Sequence, residues 1–324
     1  MPDIIDITRD DIEEARRRIA GDVRRTPLLR IGGSQLGIDC AELWLKLEQL
    51  QVGGSFKARG MFNRMRANPL PAAGVVIASG GNAGIAVAVA AKALGARCEV
   101  FVPETTSRAK RDKLAQLDAV VSVVGASYGD ALAASLERQA QSGALLMHSY
   151  DQREVVIGAG TLAAEVEEDA GVPDRVLVSV GGGGLVEGIA AWFEDRCRID
   201  ALEPELAPTL FRARQAGRPV DVAVSGIAAD SLGARRVGGI AWELTQRHVD
   251  AAHLLGDAAI RQAQAALWQE LRLAVEPAAA LPLAALASAT VVPRREERVL
   301  LVICGANVDL ASLKDQPQAL QEAR

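Results

Sequence analysis

Val178-Ser179-Val180-Gly181-Gly182-Gly183-Gly184-Leu185 runs a short apolar strand into four glycines and then into a helical pattern. Without side chains, successive backbone N–H groups can converge on one anion, and the N-terminus of the following helix adds partial positive charge. A phosphate is the natural tenant of such a turn. Glycines also let a strand and a helix pack closely, but four in a row exceed that need. The dinucleotide fingerprint does not fit, because its third glycine would fall on Val186 or Glu187, and no Lys-Ser or Lys-Thr follows to make a Walker loop.

The same grammar extends outward on both sides. A helix over 160–169, a strand over 176–180, a helix over 185–192 and a late strand over 299–303 form one set. Upstream, Val75 to Ala78, Ile85 to Leu94, Cys98 to Val102, Ser107 to Leu117, Val120 to Val124, Asp130 to Gln141 and Ala144 to Met147 alternate strand and helix patterns, as a parallel sheet with crossover helices requires. Asn68-Pro69-Leu70-Pro71-Ala72-Ala73-Gly74 can neither continue a helix nor form a central strand, so the chain crosses between domains there. The reading is α/β: two open α/β domains with largely parallel sheets. Residues 1–67 plus 148–324 form a large cofactor-binding domain, and 68–147 a small inserted one. Thr8 to Asp11 fits a capping box ahead of Ile12, Ala15 and Ile19, a first helix that serves as scaffold.

Composition excludes several partners. With 36 Lys plus Arg against 41 Asp plus Glu, the net charge of −5 gives no field that favours nucleic acid or an anionic membrane. The arginine clusters at 16–18 and 294–298 contain or adjoin acidic residues and read as solvated faces. Cys40, Cys98, Cys197 and Cys304 are too scattered for a disulfide framework and include no C-x-x-C pair. The N-terminal stretch carries acidic residues and no signal-type apolar run, and the most apolar segment, 278–292, is interrupted by Pro282 and too short to span a bilayer. A cytoplasmic protein is expected.

Ligands of open α/β sheets bind where strands meet glycine-rich turns, and three further places qualify. Gly53-Gly54-Ser55-Phe56-Lys57-Ala58-Arg59-Gly60 sets a lysine on a constrained segment. Alone it would be a surface turn; beside a phosphate cup it suggests a Schiff base to a phosphorylated aldehyde, pyridoxal 5'-phosphate. Ser79-Gly80-Gly81-Asn82-Ala83-Gly84 opens a helix and forms a second anion nest, fit for a substrate carboxylate, with Asn82 able to bond a ring hydroxyl; a plain turn with an Asn cap is the alternative. Cys304-Gly305-Ala306-Asn307 ends the last strand.

Together these motifs resemble the fold type II pyridoxal-phosphate enzymes, of tryptophan-synthase-beta-like architecture, and within them the threonine and serine ammonia-lyases (dehydratases) with their serine racemase relatives. Leu45-Lys46-Leu47-Glu48, His148 with Asp151, Gly160-Thr161, Glu203-Pro204 and Val275-Glu276-Pro277 extend the resemblance over nearly the whole chain. It implies that Lys57 forms the Schiff base and removes the α-proton, that Phe56 lies beside the ring, and that Gly181, Gly182, Gly183, Gly184 and Leu185 hold the phosphate. It further implies that Asn82 bonds the ring oxygen, that Ser79, Gly80, Gly81, Asn82 and Ala83 receive the substrate carboxylate, and that Cys304 faces the pyridine nitrogen. A neutral thiol there leaves that nitrogen largely unprotonated, which disfavours transamination and suits prompt loss of a β-hydroxyl. The expected activity is removal of the hydroxyl from a small L-3-hydroxy amino acid, threonine or serine, to give a 2-oxo acid and ammonia, in a homodimer.

Departures from the family pattern define the alternatives. Ala83, Ala159, Ala279 and Ala306 stand where many of these lyases have His, Gln, Gly and Gly. These changes either retune the pocket toward 3-hydroxyaspartate or phenylserine, or merely repack its support. The racemases' second base, a serine, corresponds to Gly80, which has no proton to give, so an amino-acid racemase is the weaker reading. A family cation site would use Glu203 and the Ala207 carbonyl, but its second carboxylate corresponds to Thr209, so a mono- or divalent cation is held less firmly. The tail after Asn307 leaves no room for a C-terminal regulatory domain. From another class, a non-catalytic cofactor-binding protein is opposed by the intact Lys57.

Overall fold

The structure, a computed structural model, describes residues 6–309; the C-terminal tail beyond them, and any inference from it, lies outside the described residues. In chain order the elements are α1 (Arg9–Ile19), β1 (Leu28–Gly32), β2 (Glu42–Lys46), α2 (Lys57–Ala67), β3 (Val75–Ala78), α3 (Asn82–Ala93), β4 (Cys98–Val102), α4 (Arg108–Gln116), β5 (Val120–Val123), α5 (Tyr128–Ser142) and β6 (Leu145–Met147). There follow α6 (Arg153–Ala170), β7 (Arg175–Ser179), α7 (Gly184–Phe193), β8 (Arg198–Pro204), α8 (Thr209–Ala216), α9 (Ala229–Leu232), α10 (Gly239–His248), β9 (Ala251–Leu255), α11 (Asp257–Leu271), α12 (Pro277–Ala287) and β10 (Arg298–Val302).

Two sheets result. The larger has the order β1-β2-β10-β7-β8-β9, parallel except for the β1–β2 pair; the smaller, β5-β4-β3-β6, is entirely parallel. The fold is therefore α/β with largely parallel sheets, as the strand-helix alternation predicts. Thr8 caps α1 through a capping box with Asp11, and Ile12, Ala15 and Ile19 are buried. The arginine clusters are tied down by carboxylates: Arg16 pairs with Glu168, Arg18 with Glu14, Arg294 with Glu297, and Arg298 with Asp174 at 2.8 Å.

Sequence periodicity misses β8 and β9. Arg198–Pro204 places Asp200 and Glu203 in a central strand, both fully buried, which breaks the apolar run expected of such a strand. Asp200 is tolerated because Arg175, at 2.5 Å, and His253 Nε2, at 2.9 Å, converge on it. The helix expected from Gly160 begins at Arg153, since its first turns, Val155-Val156-Ile157, are β-branched and read locally as strand.

Three helices meet through glycine faces. A Cβ on Gly60 of α2 would lie 2.6 Å from the Val155 carbonyl, and one on Gly158 of α6 would lie 2.6 Å from the Arg59 carbonyl. On the other side of α6, a Cβ on Gly160 would lie 2.7 Å from the Gly188 carbonyl, and one on Gly188 of α7 would lie 2.4 Å from the Gly160 nitrogen. Thus α6 touches both α2 and α7 backbone to backbone.

Candidate active site

At the carboxyl end of the larger sheet, β7 leads into the four glycines, and φ at Gly183 is +106°, a conformation that L side chains rarely adopt. A Cβ there would lie 2.2 Å from Ala241 Cβ, and one on Gly182 would lie 2.3 Å from the Tyr150 ring. The turn is a cradle that any side chain would fill, and it opens the N-terminus of α7, where backbone N–H groups have no helical partner. This is the geometry of a phosphate site.

One narrow cavity is lined by Gly181 to Leu185 together with Phe56, Lys57, Asn82, Tyr150, Ser179, Ser231, Leu232, Glu276 and Cys304. The lysine, the phosphate cup, the asparagine and the cysteine, scattered over some 250 positions of sequence, thus share one wall system. A larger open groove of about 640 Å³ near α8, lined by Leu206, Arg212 and Asp221 among others, offers no buried amine and no glycine cradle. Of the residues expected to receive a substrate carboxylate, Asn82 lines the cavity. An added Cβ on Gly81 would meet the Asp230 carbonyl at 3.2 Å, and Ala83 is buried. Ala159 and Ala279 are also buried, and neither they nor Ala83 nor Ala306 is among the residues lining the cavity.

Lys57 opens α2. Its Nζ donates to the Ser149 carbonyl at 2.5 Å and stands 4.9 Å from the centre of the Phe56 ring. Burial pushes its pKa down to about 8, against the pull of Cys304 and Glu276. Burial and the neighbouring Glu276 push the Cys304 thiol well above its ordinary range, so the sulfur facing this cavity is neutral. Two residues beyond Lys57, the fully buried Arg59 grips Glu48 through Nε and Nη2, each at 2.8 Å, and Glu165 through Nη1 at 2.7 Å and Nη2 at 2.8 Å. Lys46 joins Glu165 at 2.6 Å, so two cations and two anions balance beneath the first turn of α2.

Sequence reading leaves out Tyr150, Ser231 and Glu276. Tyr150 packs across the glycine cup, with its hydroxyl donating to the Arg236 carbonyl at 3.2 Å. Glu276 sits at the N-terminus of α12 and accepts from Asn82 Nδ2 with both oxygens at 2.9 Å; burial raises its pKa, against hydrogen bonds from Asn82 and Ser231. Beyond its place in Val275-Glu276-Pro277, Glu276 carries no local signal of a site role, since its flanking residues mark only a helix start. Glu203 is occupied differently from the cation-ligand expectation: its two oxygens accept the backbone N–H groups of Leu210 and Phe211, each at 2.7 Å, and Thr209 turns its hydroxyl to the Ala234 carbonyl. No group of three or more metal-ligating side chains occurs among the described residues.

The pyridoxal-phosphate dependent enzyme family matches residues 19–305, which contain every lining residue of the cavity. The chain belongs to the pyridoxal-phosphate-dependent enzymes. Its relatives in this family include an L-threonine ammonia-lyase of Geobacter sulfurreducens, 34% identical over 93% of this chain and 76% of that one. A phenylserine dehydratase of Ralstonia pickettii is 35% identical over 82% of this chain and 83% of its own. Maize serine racemase superposes with a TM-score of 0.88 at 30% identity, covering 95% of each chain. This pyridoxal-phosphate-dependent enzyme is thus a fold type II ammonia-lyase of the dehydratase group, and its substrate is a small amino acid. The glycine cradle, the desolvated amine and the neutral thiol that line this one cavity fit the cofactor.

Proposed function

We propose that the enzyme converts L-threonine or L-serine to the 2-oxo acid and ammonia, with Lys57 as the base. The observation that carries this reading is a desolvated lysine amine sharing one cavity with a phosphate cradle and an un-ionised thiol. The cofactor, when bound, supplies an electron sink for the bond broken at the substrate α-carbon. Gly181 to Leu185 would hold its phosphate, Phe56 would flank its ring, and Asn82 Nδ2 would donate to its ring oxygen. Cys304 leaves its nitrogen without a charged partner. Lys57, with its pKa lowered to about 8, titrates close enough to neutral pH to hold or release a proton at Nζ. The backbone N–H groups of the turn from Ser79 to Gly81 and of the first residues of α3, Asn82 and Ala83, would take the substrate carboxylate, with Asn82 lining the cavity.

Elimination is favoured over racemisation by the surroundings of Gly80. A Cβ at that position would lie 2.9 Å from Thr106 Cγ2 and 3.3 Å from Val102 Cγ1, so the space a second base would need is filled. We also take 68–147 as a small domain inserted into 1–67 plus 148–324. The smaller sheet lying wholly within 75–147 supports this, while α2, which precedes it, shares its core through Met61, Phe62 and Met65. The enzyme is taken as a cytoplasmic homodimer; no helix among the described residues is long and apolar enough to cross a membrane. The test is release of 2-oxobutyrate from L-threonine by cofactor-loaded protein, with Lys57→Ala as control. Turnover that survives Lys57→Ala, or no 2-oxo acid from any 3-hydroxy amino acid, overturns the reading.

A further inference from the structure

One string of side chains runs from the protein surface into the cavity. Lys113, exposed on α4, donates from Nζ to Asn307 Oδ1 at 2.7 Å. Asn307 Nδ2 donates to Asn82 Oδ1 at 2.7 Å and to the Gly53 carbonyl at 2.9 Å. Asn82 Nδ2 in turn faces the cavity, where it donates to Glu276. Donor chemistry fixes the direction of the whole string. An ammonium has no acceptor, so it must meet the Asn307 oxygen; that leaves the Asn307 amide nitrogen for the Asn82 oxygen, and the Asn82 nitrogen for the cavity. Every link therefore points the same way, from a cation toward the site, and hydrogen bonds aligned in this manner strengthen one another.

Two further features fit this string. A Cβ on Gly54 would lie 2.8 Å from Asn307 Oδ1, so the second glycine of the lysine segment leaves the room Asn307 occupies. Neighbouring Lys110 pairs with Asp230 at 2.8 Å, whereas Lys113 has no carboxylate within ion-pair distance among the described residues; its hydrogen bond goes to a neutral amide, and Glu276 acts on it only at longer range. The string also joins α4 and α3, which flank the smaller sheet, to the segment that follows β10 of the larger one.

We propose that Lys113 is a positioning residue for the cofactor: acting through Asn307, it locks the orientation of the Asn82 amide and strengthens Nδ2 as the donor to the cofactor's ring oxygen. The inference rests on the cofactor reading of this cavity. One hydrogen bond of this kind corresponds to about 3- to 10-fold in an equilibrium constant. Lys113→Met, a change at an exposed side chain, is expected to weaken pyridoxal phosphate binding by that factor and to alter the wavelength or intensity of the visible absorbance of the loaded enzyme. Lys113→Arg, which keeps a cationic donor, restores both. Asn307→Ala gives at least as large an effect, and adding Lys113→Met to it changes nothing further. Unchanged cofactor affinity and spectrum in Lys113→Met, or full additivity of the two substitutions, overturns the inference. Loss of all visible absorbance in the wild-type protein with added cofactor would instead refute the cofactor reading itself.

Discussion

Replacing Arg59 with Met removes the fork that joins Glu48 to Glu165 beneath Lys57. The wild-type cluster holds two cations, Arg59 and Lys46, against two carboxylates, all essentially without solvent exposure. After the substitution two buried carboxylates share one ammonium, and four charge-assisted contacts of 2.7–2.8 Å are gone. Burial alone raises the Glu165 carboxyl, and it is Arg59 first and then Lys46 that hold its pKa below the ordinary range, so the larger part of that support disappears. Breaking one partner out of a buried pair costs about 3–5 kcal/mol. For a chain of this length that corresponds to a fall in melting temperature of roughly 4–7 °C. Differential scanning calorimetry of apo protein at pH 7 reads it directly. Arg59→Lys should recover part of the loss, because it restores charge without the planar fork, and Glu48→Gln combined with Arg59→Met should cost less than the two separate losses together. A melting temperature for Arg59→Met within 1 °C of wild type would refute the view that this cluster is what fixes the first turn of α2.

Other outcomes follow from the site. The Lys57 amine, lowered to about 8, is the reactive form only when unprotonated, so stopped-flow capture of pyridoxal phosphate by apo protein should rise about tenfold per pH unit below 8 and flatten above it; a rise continuing to pH 10 would show an unperturbed lysine. Gly183→Ala forces a side chain to φ +106° and within 2.2 Å of Ala241, a combined strain of about 2–6 kcal/mol; cofactor affinity measured by absorbance should fall at least tenfold, and an unchanged value would remove the cup from the phosphate. Gly80→Ser should lose lyase activity without gaining racemase activity, as followed by chiral chromatography of serine. Pairing it with Thr106→Ala removes the nearest crowding atom, and racemisation by the single variant would contradict the crowding seen around Gly80.

The legible part of this protein is the part whose physics is local. Strand-to-glycine-to-helix transitions at Ser79 to Gly84 and at Val180 to Leu185 announce themselves because backbone exposure at a helix start needs only neighbours in sequence. Regular alternation of apolar strands and crossover helices gives the smaller sheet almost residue by residue. What escapes is anything whose partner is distant. Asp200 looks like a surface residue until Arg175 and His253 arrive to satisfy it, and Glu203, a candidate cation ligand in sequence, is satisfied instead by the backbone at the start of α8. Glu276 is equally silent until Asn82, 194 positions earlier, meets it. The same holds for Lys113, an ordinary helix-surface lysine in sequence and the start of a hydrogen-bonded string in space.

The glycine contacts on either side of α6 carry a last consequence. α2 starts with the amine and α7 starts at the phosphate cup, and each rests against α6 with main chain on main chain. The spacing between the two reactive ends is therefore gauged by peptide groups, which do not vary with sequence, and core side chains elsewhere can drift without altering it. An added methyl at Gly158 or Gly160 would touch nothing in the cavity and yet would reset that spacing. Inactivating substitutions in this enzyme should accordingly cluster in the middle of a helix that contributes no atom to the chemistry.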